Sequence, residues 1–139
     1  MQDEQQNESD ETLYDRIGGE TGVRQLVTLF YDEMENLPEA DTIRKLHRPD
    51  LTEARQKLFE YYSGWFGGPP LYISQYGHPR LRARHMHVPI GVAERDAWLI
   101  CLVNALKQMN LDDDLLVDLL DKIVPMADHM RNQQEAEKL

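Results

Sequence analysis

Apolar residues recur at three- and four-residue steps along most of this chain, which is the pattern of amphipathic helices. The clearest example runs from Thr21 to about Asn36, with Val23, Leu26, Val27, Phe30, Tyr31 and Met34 on its predicted buried face. A later helix, stopped by Gly67, carries a broad aromatic face of Leu58, Phe59, Tyr62, Trp65 and Phe66. Two more helices are predicted over 91–109 and 112–131, the last kinked at Pro125. No stretch alternates with a period of two for long enough to form a strand, so the predicted fold class is all-α.

Shorter elements are predicted between these helices. Thr12 is expected to cap a short helical turn that Gly18 and Gly19 close, and another short helical segment is expected at 42–46. The stretch 67–78 is rich in Gly, Pro, Ser and Tyr and is predicted to be a loop. Pro79 is expected to start a brief helix over Arg80–His85.

Length and composition limit the classes of function. A chain of 139 residues predicts one domain, here 12–131, between a polar N-terminal extension at 1–11 and a polar C-terminal tail at 132–139. Twenty-five acidic against 15 basic residues give a net charge of -10, which disfavours nucleic acid as a partner. No apolar run is long enough to span a membrane and no signal peptide is evident, so we expect a cytoplasmic protein without a membrane partner. Cys101, the one cysteine, is expected to be a small core residue.

The segment 75–87 departs from the acidic average, because it contains three arginines, three histidines and no acid. Within it, His85 lies on a short predicted helix between a Gly/Pro loop and Pro89. His87 is two residues further on and would point elsewhere on a helix, so the pair makes a poor two-ligand metal clamp. A single axial bond to the iron of a porphyrin is the better interpretation, with the other ring N–H donated to a carbonyl near Leu81. On these residues alone, a structural histidine and an aromatic core remain open alternatives.

Five stretches carry a resemblance to a known family. They are LYDRIGG at 13–19, FY at 30–31, GWFGGPP at 64–70, GHPRLRARH at 77–85 and IGVAERDAWL at 90–99. Together they resemble the group II truncated haemoglobins, or two-over-two globins, over about residues 13–130. The last two stretches are the most specific, because the spacing from His85 to Trp98 distinguishes this group from other truncated globins. The resemblance implies a two-over-two helical sandwich enclosing haem b, the iron protoporphyrin IX cofactor.

The same resemblance implies roles for individual residues. His85 corresponds to the proximal haem ligand, Tyr31 to the distal tyrosine and Trp98 to the distal tryptophan. His47 falls at a variable distal position, and Arg84 matches an arginine that pairs with a haem propionate. The helix of the distal wall is expected to contact the cofactor through Phe59, Tyr62 and Phe66.

A pocket of this kind is expected to hold dioxygen tightly. Oxygen bound to ferrous haem becomes partly anionic, and Tyr31, Trp98 and His47 are all candidate hydrogen-bond donors. Each such bond contributes about 1.5–3 kcal/mol, so losing one should speed oxygen escape roughly ten- to a hundredfold. His47 can also change charge within the physiological pH range. Without oxygen, Tyr31 or His47 is a candidate for binding the iron itself.

The predicted function is therefore reversible binding of dioxygen and other diatomic ligands. Detoxification of nitric oxide, peroxide or peroxynitrite is a candidate activity, with a reductase as a candidate partner. The alternative within the same class is oxygen or redox sensing, or scavenging, without turnover. The sequence does not decide whether the protein is an enzyme, and it predicts no oligomeric state.

Two other classes of function remain to be weighed. One is a mononuclear metal hydrolase using His85, His87 and a carboxylate, although the sequence lacks an HExxH motif. The other is a helical interaction module whose aromatic face docks a partner helix. His78, His87 and His129 are expected to be peripheral.

Overall fold

The computed structural model describes residues 11–133, so the expectations for 1–10 and 134–139 lie outside the described residues. Eight α-helices and one 3-10 turn occupy the described range: α1 (Leu13–Ile17), α2 (Gly19–Asn36), the 3-10 turn (Pro38–Ala40), α3 (Asp41–Arg44), α4 (Thr52–Trp65), α5 (Leu71–Tyr76), α6 (Leu81–His85), α7 (Val92–Gln108) and α8 (Asp113–His129). This range contains no strand, which confirms the all-α prediction. None of its helices is long and apolar enough to cross a membrane.

The four long helices form the core. Helix α2 packs against both α4 and α7, and α7 packs in turn against α8, as a two-over-two arrangement requires. The predicted apolar faces meet at the centre, where side chains from all four helices are fully buried: Leu26, Phe30, Tyr62, Leu102 and Leu119. Burial of these faces is the main favourable contribution to folding.

Two of the sequence motifs that lie far apart in the chain contact each other. Thr12 caps α1 in a capping box with Asp15, and Gly18 ends the helix in the left-handed conformation with φ of 110°. The backbone N–H of Tyr14 then donates to the carbonyl of Phe66 at 2.9 Å. The Tyr14 ring lies so close to Gly68 that a Cβ there would come within 2.4 Å of a ring carbon. The chain therefore needs glycine at 68 to bring the two motifs together.

Two predicted short elements differ in the structure. Residues 67–78 are not a continuous loop, because α5 forms immediately after Pro70, whose carbonyl accepts from the N–H of Ser74 at 3.0 Å. A proline pair can begin a helix as readily as it ends one. Helix α6 begins after Arg80, whose positive φ of 48° separates Pro79 from the helix. Pro125, the position of the predicted kink, lies inside α8.

Backbone hydrogen bonds continue beyond the predicted domain boundary at 131. The N–H groups of Asn132 and Gln133 donate to the carbonyl of Ile90 at 2.8 and 3.2 Å. These two residues therefore pack against the segment that follows His85.

Candidate functional site

His85 is the last residue of α6, and its ring is fixed by a backbone contact. Nδ1 lies 2.7 Å from the carbonyl oxygen of Leu81, one helical turn earlier. A carbonyl can only accept, so Nδ1 carries the proton and the neutral ring keeps its lone pair on Nε2. This is the contact that the sequence predicted, and it is the arrangement of a metal-binding histidine.

A largely apolar cavity of about 350 Å³ opens beside His85. Its walls come from α2, α3, α4, α6, α7 and α8, so distant parts of the chain converge there. It brings together five of the residues singled out from the sequence: Tyr31, His47, Arg84, His85 and Trp98. The convergence of these side chains on one apolar cavity is the basis for treating it as the functional site.

The residues of α4 that line this cavity lie one position away from those expected to contact the cofactor. Phe59, Tyr62 and Phe66 are 3%, 0% and 2% exposed and belong to the core, and none of the three lines this cavity. Leu58 and Tyr61 face it instead. Consecutive helical residues lie about 100° apart, so a shift of one residue exchanges the core face for the cavity face. Both faces of α4 are apolar or aromatic, and the hydrophobic pattern therefore could not separate them.

Tyr31 and Trp98 provide donors on the wall that α2 and α7 share. Their rings both pack on Phe30, with centroids 5.0 Å away in each case. Burial raises the pKa of the Tyr31 hydroxyl well above its usual value, which outweighs the opposing effect of Arg55. The hydroxyl therefore stays protonated at neutral pH. Among the described residues, neither this hydroxyl nor the Trp98 indole N–H has a hydrogen-bond partner, so both can donate to a ligand.

The backbone contact of His47 determines which ring nitrogen faces the cavity. Its Nδ1 lies 2.8 Å from the carbonyl oxygen of Ile43, so this nitrogen carries a proton and Nε2 is left for the cavity. In the neutral ring Nε2 is an acceptor, and it donates only after protonation. The ring meets Tyr31 edge to face, with centroids 6.0 Å apart.

Basic side chains lie at the rim. Nε of Arg84 donates to the Pro79 carbonyl at 2.6 Å, which leaves both terminal nitrogens for an anionic group. His87, expected to be peripheral, also lines the cavity. His78 and His129 lie in the lining of a neighbouring cavity of about 580 Å³.

The two alternative classes of function find no support in this geometry. Within residues 11–133, no group of three or more His, Cys, Asp or Glu side chains could hold a metal ion, as a hydrolase site would require. The aromatic face of α4 is buried in the core, so it is not open to a partner helix. Cys101 is fully buried, and burial raises the pKa of its thiol to about 11, as expected for an inert core residue.

The residues present fit haem. A single histidine nitrogen with a free lone pair serves as an axial ligand only if another group supplies the remaining metal ligands, and porphyrin does so. The apolar lining suits the porphyrin ring, and the Arg84 guanidinium at the rim suits its carboxylates.

Comparisons with known proteins agree with this geometry. A family model described as bacterial-like globin matches residues 12–132. The chain is 38% identical over 124 residues to group 2 truncated hemoglobin YjbI of Bacillus subtilis, covering 89% of this chain and 91% of that protein. Among solved structures, it superposes on the group II 2-on-2 hemoglobin of Agrobacterium tumefaciens with a TM-score of 0.86 and 42% identity, over 88% of this chain and 95% of the other. It also matches the truncated oxygen-avid haemoglobin of Bacillus subtilis with a TM-score of 0.80 and 36% identity, over 87% and 99% of the two chains.

Proposed function

The chain belongs to the bacterial-like globin family as a group II truncated haemoglobin, and from this membership we propose that it holds haem b through His85. Family membership implies haem-based binding of oxygen and related ligands. The observation that supports the residue assignment is the lone pair on Nε2 of His85, directed away from Leu81, beside a cavity that Tyr31 and Trp98 also line.

Haem, when bound, would supply an iron atom that can bind diatomic molecules. The chain contributes the surroundings. The Leu81 carbonyl orients the His85 ring, and Arg84 pairs with a propionate. On the other wall, Tyr31 and Trp98 donate to the ligand, and each donor contributes about 1.5–3 kcal/mol if the ligand carries charge.

Two donors that are ready before the ligand arrives favour slow release. We therefore propose tight capture of dioxygen, or chemistry on the captured molecule, over rapid delivery. Detoxification of nitric oxide, peroxide or peroxynitrite requires a reductase that returns ferric iron to the ferrous state, and such a partner is part of this proposal. Sensing or scavenging without turnover is the second candidate, because the same donors serve both. We place the protein in the cytoplasm, where the buried thiol of Cys101 would stay reduced.

Titration with haemin tests the axial assignment. The wild-type protein is expected to bind one equivalent and develop a Soret band. His85→Ala should lose stable binding, and added imidazole should restore the band. His87→Ala is the matched control, because His87 lines the same cavity two residues away and should be dispensable. Retention of haem by His85→Ala together with its loss in His87→Ala would overturn the assignment.

A stopped-flow experiment separates turnover from storage. The ferrous protein saturated with dioxygen is mixed with nitric oxide, and the absorbance and the nitrate formed are followed. Stoichiometric nitrate with rapid conversion to the ferric form supports detoxification. Simple replacement of one ligand by the other, at the rate of dioxygen release, supports sensing or scavenging.

A further inference from the structure

The helix that carries His85 has little contact with the core. None of the residues of α6 is buried, although this helix must hold the axial ligand in place. Its position therefore depends on polar contacts made by its own residues and by the loop 86–90 that follows it.

Most of these contacts come from the end of α8. Nη1 of Arg82 donates to the carbonyl oxygens of His129 and Arg131 at 2.9 and 2.6 Å. These carbonyls belong to the last turn of α8 and its exit, where no intrahelical donor remains for them. Helix α6 is thus attached to α8 through one guanidinium.

Asn132 adds the second attachment. Its Nδ2 donates to the carbonyls of Val88 and His85 at 2.9 and 3.2 Å, and its Oδ1 accepts from the N–H of Ile90 at 2.9 Å. The backbone N–H of Asn132 also donates to the Ile90 carbonyl at 2.8 Å. One carboxamide therefore bonds to the backbone of His85 and to two residues of the loop 86–90.

We propose that Asn132 is a positioning residue for the axial histidine. Asn132 holds the His85 backbone carbonyl while Leu81 holds the ring, and together these contacts set how far and at what angle Nε2 projects into the cavity. A ligand held by a second set of hydrogen bonds keeps a defined orientation toward its metal. This inference rests on the proposed function, because it concerns the same iron ligand.

Variants at two adjacent positions isolate the effect. Asn132→Ala removes both the donor and the acceptor of the carboxamide. Asn132→Asp keeps an acceptor for Ile90 but loses the donor to His85 and Val88, and it places a negative charge beside their carbonyl oxygens. Gln133→Ala is the matched control, since the Gln133 side chain donates only to Asn132 among the described residues.

Three readouts are taken on the haemin-loaded proteins, which are reduced with dithionite before carbon monoxide is added for the first. The first is the iron–histidine stretching band by resonance Raman spectroscopy, recorded immediately after photolysis of the carbon monoxide complex. The second is the rate of haem transfer to excess apomyoglobin. The third is hydrogen exchange at the Ile90 amide. It reports whether the Asn132 side chain still holds the loop 86–90, and it does not depend on a haem signal.

We expect the iron–histidine stretching band to shift or broaden in Asn132→Ala and Asn132→Asp. Haem transfer to apomyoglobin should become about tenfold faster in both variants, as loss of one or two hydrogen bonds implies. Gln133→Ala should match wild type. Hydrogen exchange at the Ile90 amide should speed up in Asn132→Ala and stay slow in Asn132→Asp, which keeps the acceptor. If Asn132→Ala does not fold, Asn132→Asp alone tests the inference.

An unchanged band and unchanged transfer in both Asn132 variants would overturn the inference while leaving the haem assignment intact. A wild-type protein that takes up no haem would instead reject the proposed function.

Discussion

The Nδ1 atom of His47 lies 2.8 Å from the carbonyl oxygen of Ile43, and this contact decides what His47 offers to a ligand. His85 makes the equivalent contact with Leu81 at 2.7 Å, so two histidines of the cavity expose Nε2 by the same means. On His85 the free lone pair serves a metal. On His47 it makes the neutral ring an acceptor and the protonated ring a donor.

His47→Phe should therefore change the dioxygen release rate far less than loss of a true donor at Tyr31 or Trp98, because the neutral His47 ring turns an acceptor toward the cavity. Stopped-flow release rates of His47→Phe, Tyr31→Phe and Trp98→Phe at one pH provide the check. A release rate raised as much in His47→Phe as in the other two variants would show that the His47 ring donates to the ligand.

The hydroxyl of Tyr31 and the indole N–H of Trp98 should both slow the release of dioxygen. Tyr31→Phe and Trp98→Phe each remove one donor while keeping an aromatic ring against Phe30. Each is expected to raise the dioxygen dissociation rate by roughly ten- to a hundredfold. Tyr14→Phe is a suitable control, because it also loses a hydroxyl but lies against Gly68 and does not line the cavity. Rates within twofold of wild type in both distal variants would contradict the hydrogen-bonding account.

The positions of His85 and Tyr31 beside one cavity could be predicted from local motifs and the family resemblance. The contact of His85 with Leu81 could be predicted because it joins residues one helical turn apart. The ring nitrogen of His47 that carries the proton could not be predicted, because it depends on the position of the Ile43 carbonyl oxygen. The residues of α4 that line the cavity could not be predicted either, since Leu58 and Phe59 are both apolar.

Contacts made by polar side chains near helix ends left no pattern to detect. Asn132 follows α8 by a few residues and looks like part of a solvated tail, yet it bonds to a loop more than 40 residues earlier. Helix α5 was missed for a related reason, because its Gly/Pro flanks are typical of loops as well as of helix starts.

The buried hydroxyl of Tyr62 gives a stability prediction. It is fully buried, and no described residue pairs with it. An unpaired buried polar group disfavours folding by about 1–3 kcal/mol, so Tyr62→Phe should leave the free energy of unfolding unchanged or raise it by up to that amount. Tyr62→Leu should lower it by about 1–3 kcal/mol, because it loses the ring stacked on Phe66 at 4.9 Å between centroids.

Urea denaturation of the three proteins, followed by circular dichroism at one pH and salt concentration, measures these differences. A Tyr62→Phe protein less stable than wild type by 1 kcal/mol or more would mean that the hydroxyl has a partner, such as an ordered water.

Asp128 gives a prediction about pH, because it joins α8 to α7 through Arg95 and also contacts Arg131 at 3.4 Å. The hydrogen bond from Arg95 is the main cause that lowers the pKa of Asp128 in the folded protein. A carboxylate with a lowered folded pKa stabilises the fold above its ordinary pKa, and the contribution is lost as the pH falls through the lowered value. Asp128→Asn should thus be less stable than wild type at pH 7, with a difference that shrinks toward pH 3.

Urea midpoints at pH 7, 5 and 3.5 test this, with Asp121→Asn as an exposed control on the same helix. A difference that stayed constant from pH 7 to pH 3.5 would show that the charge of Asp128 does not stabilise the fold.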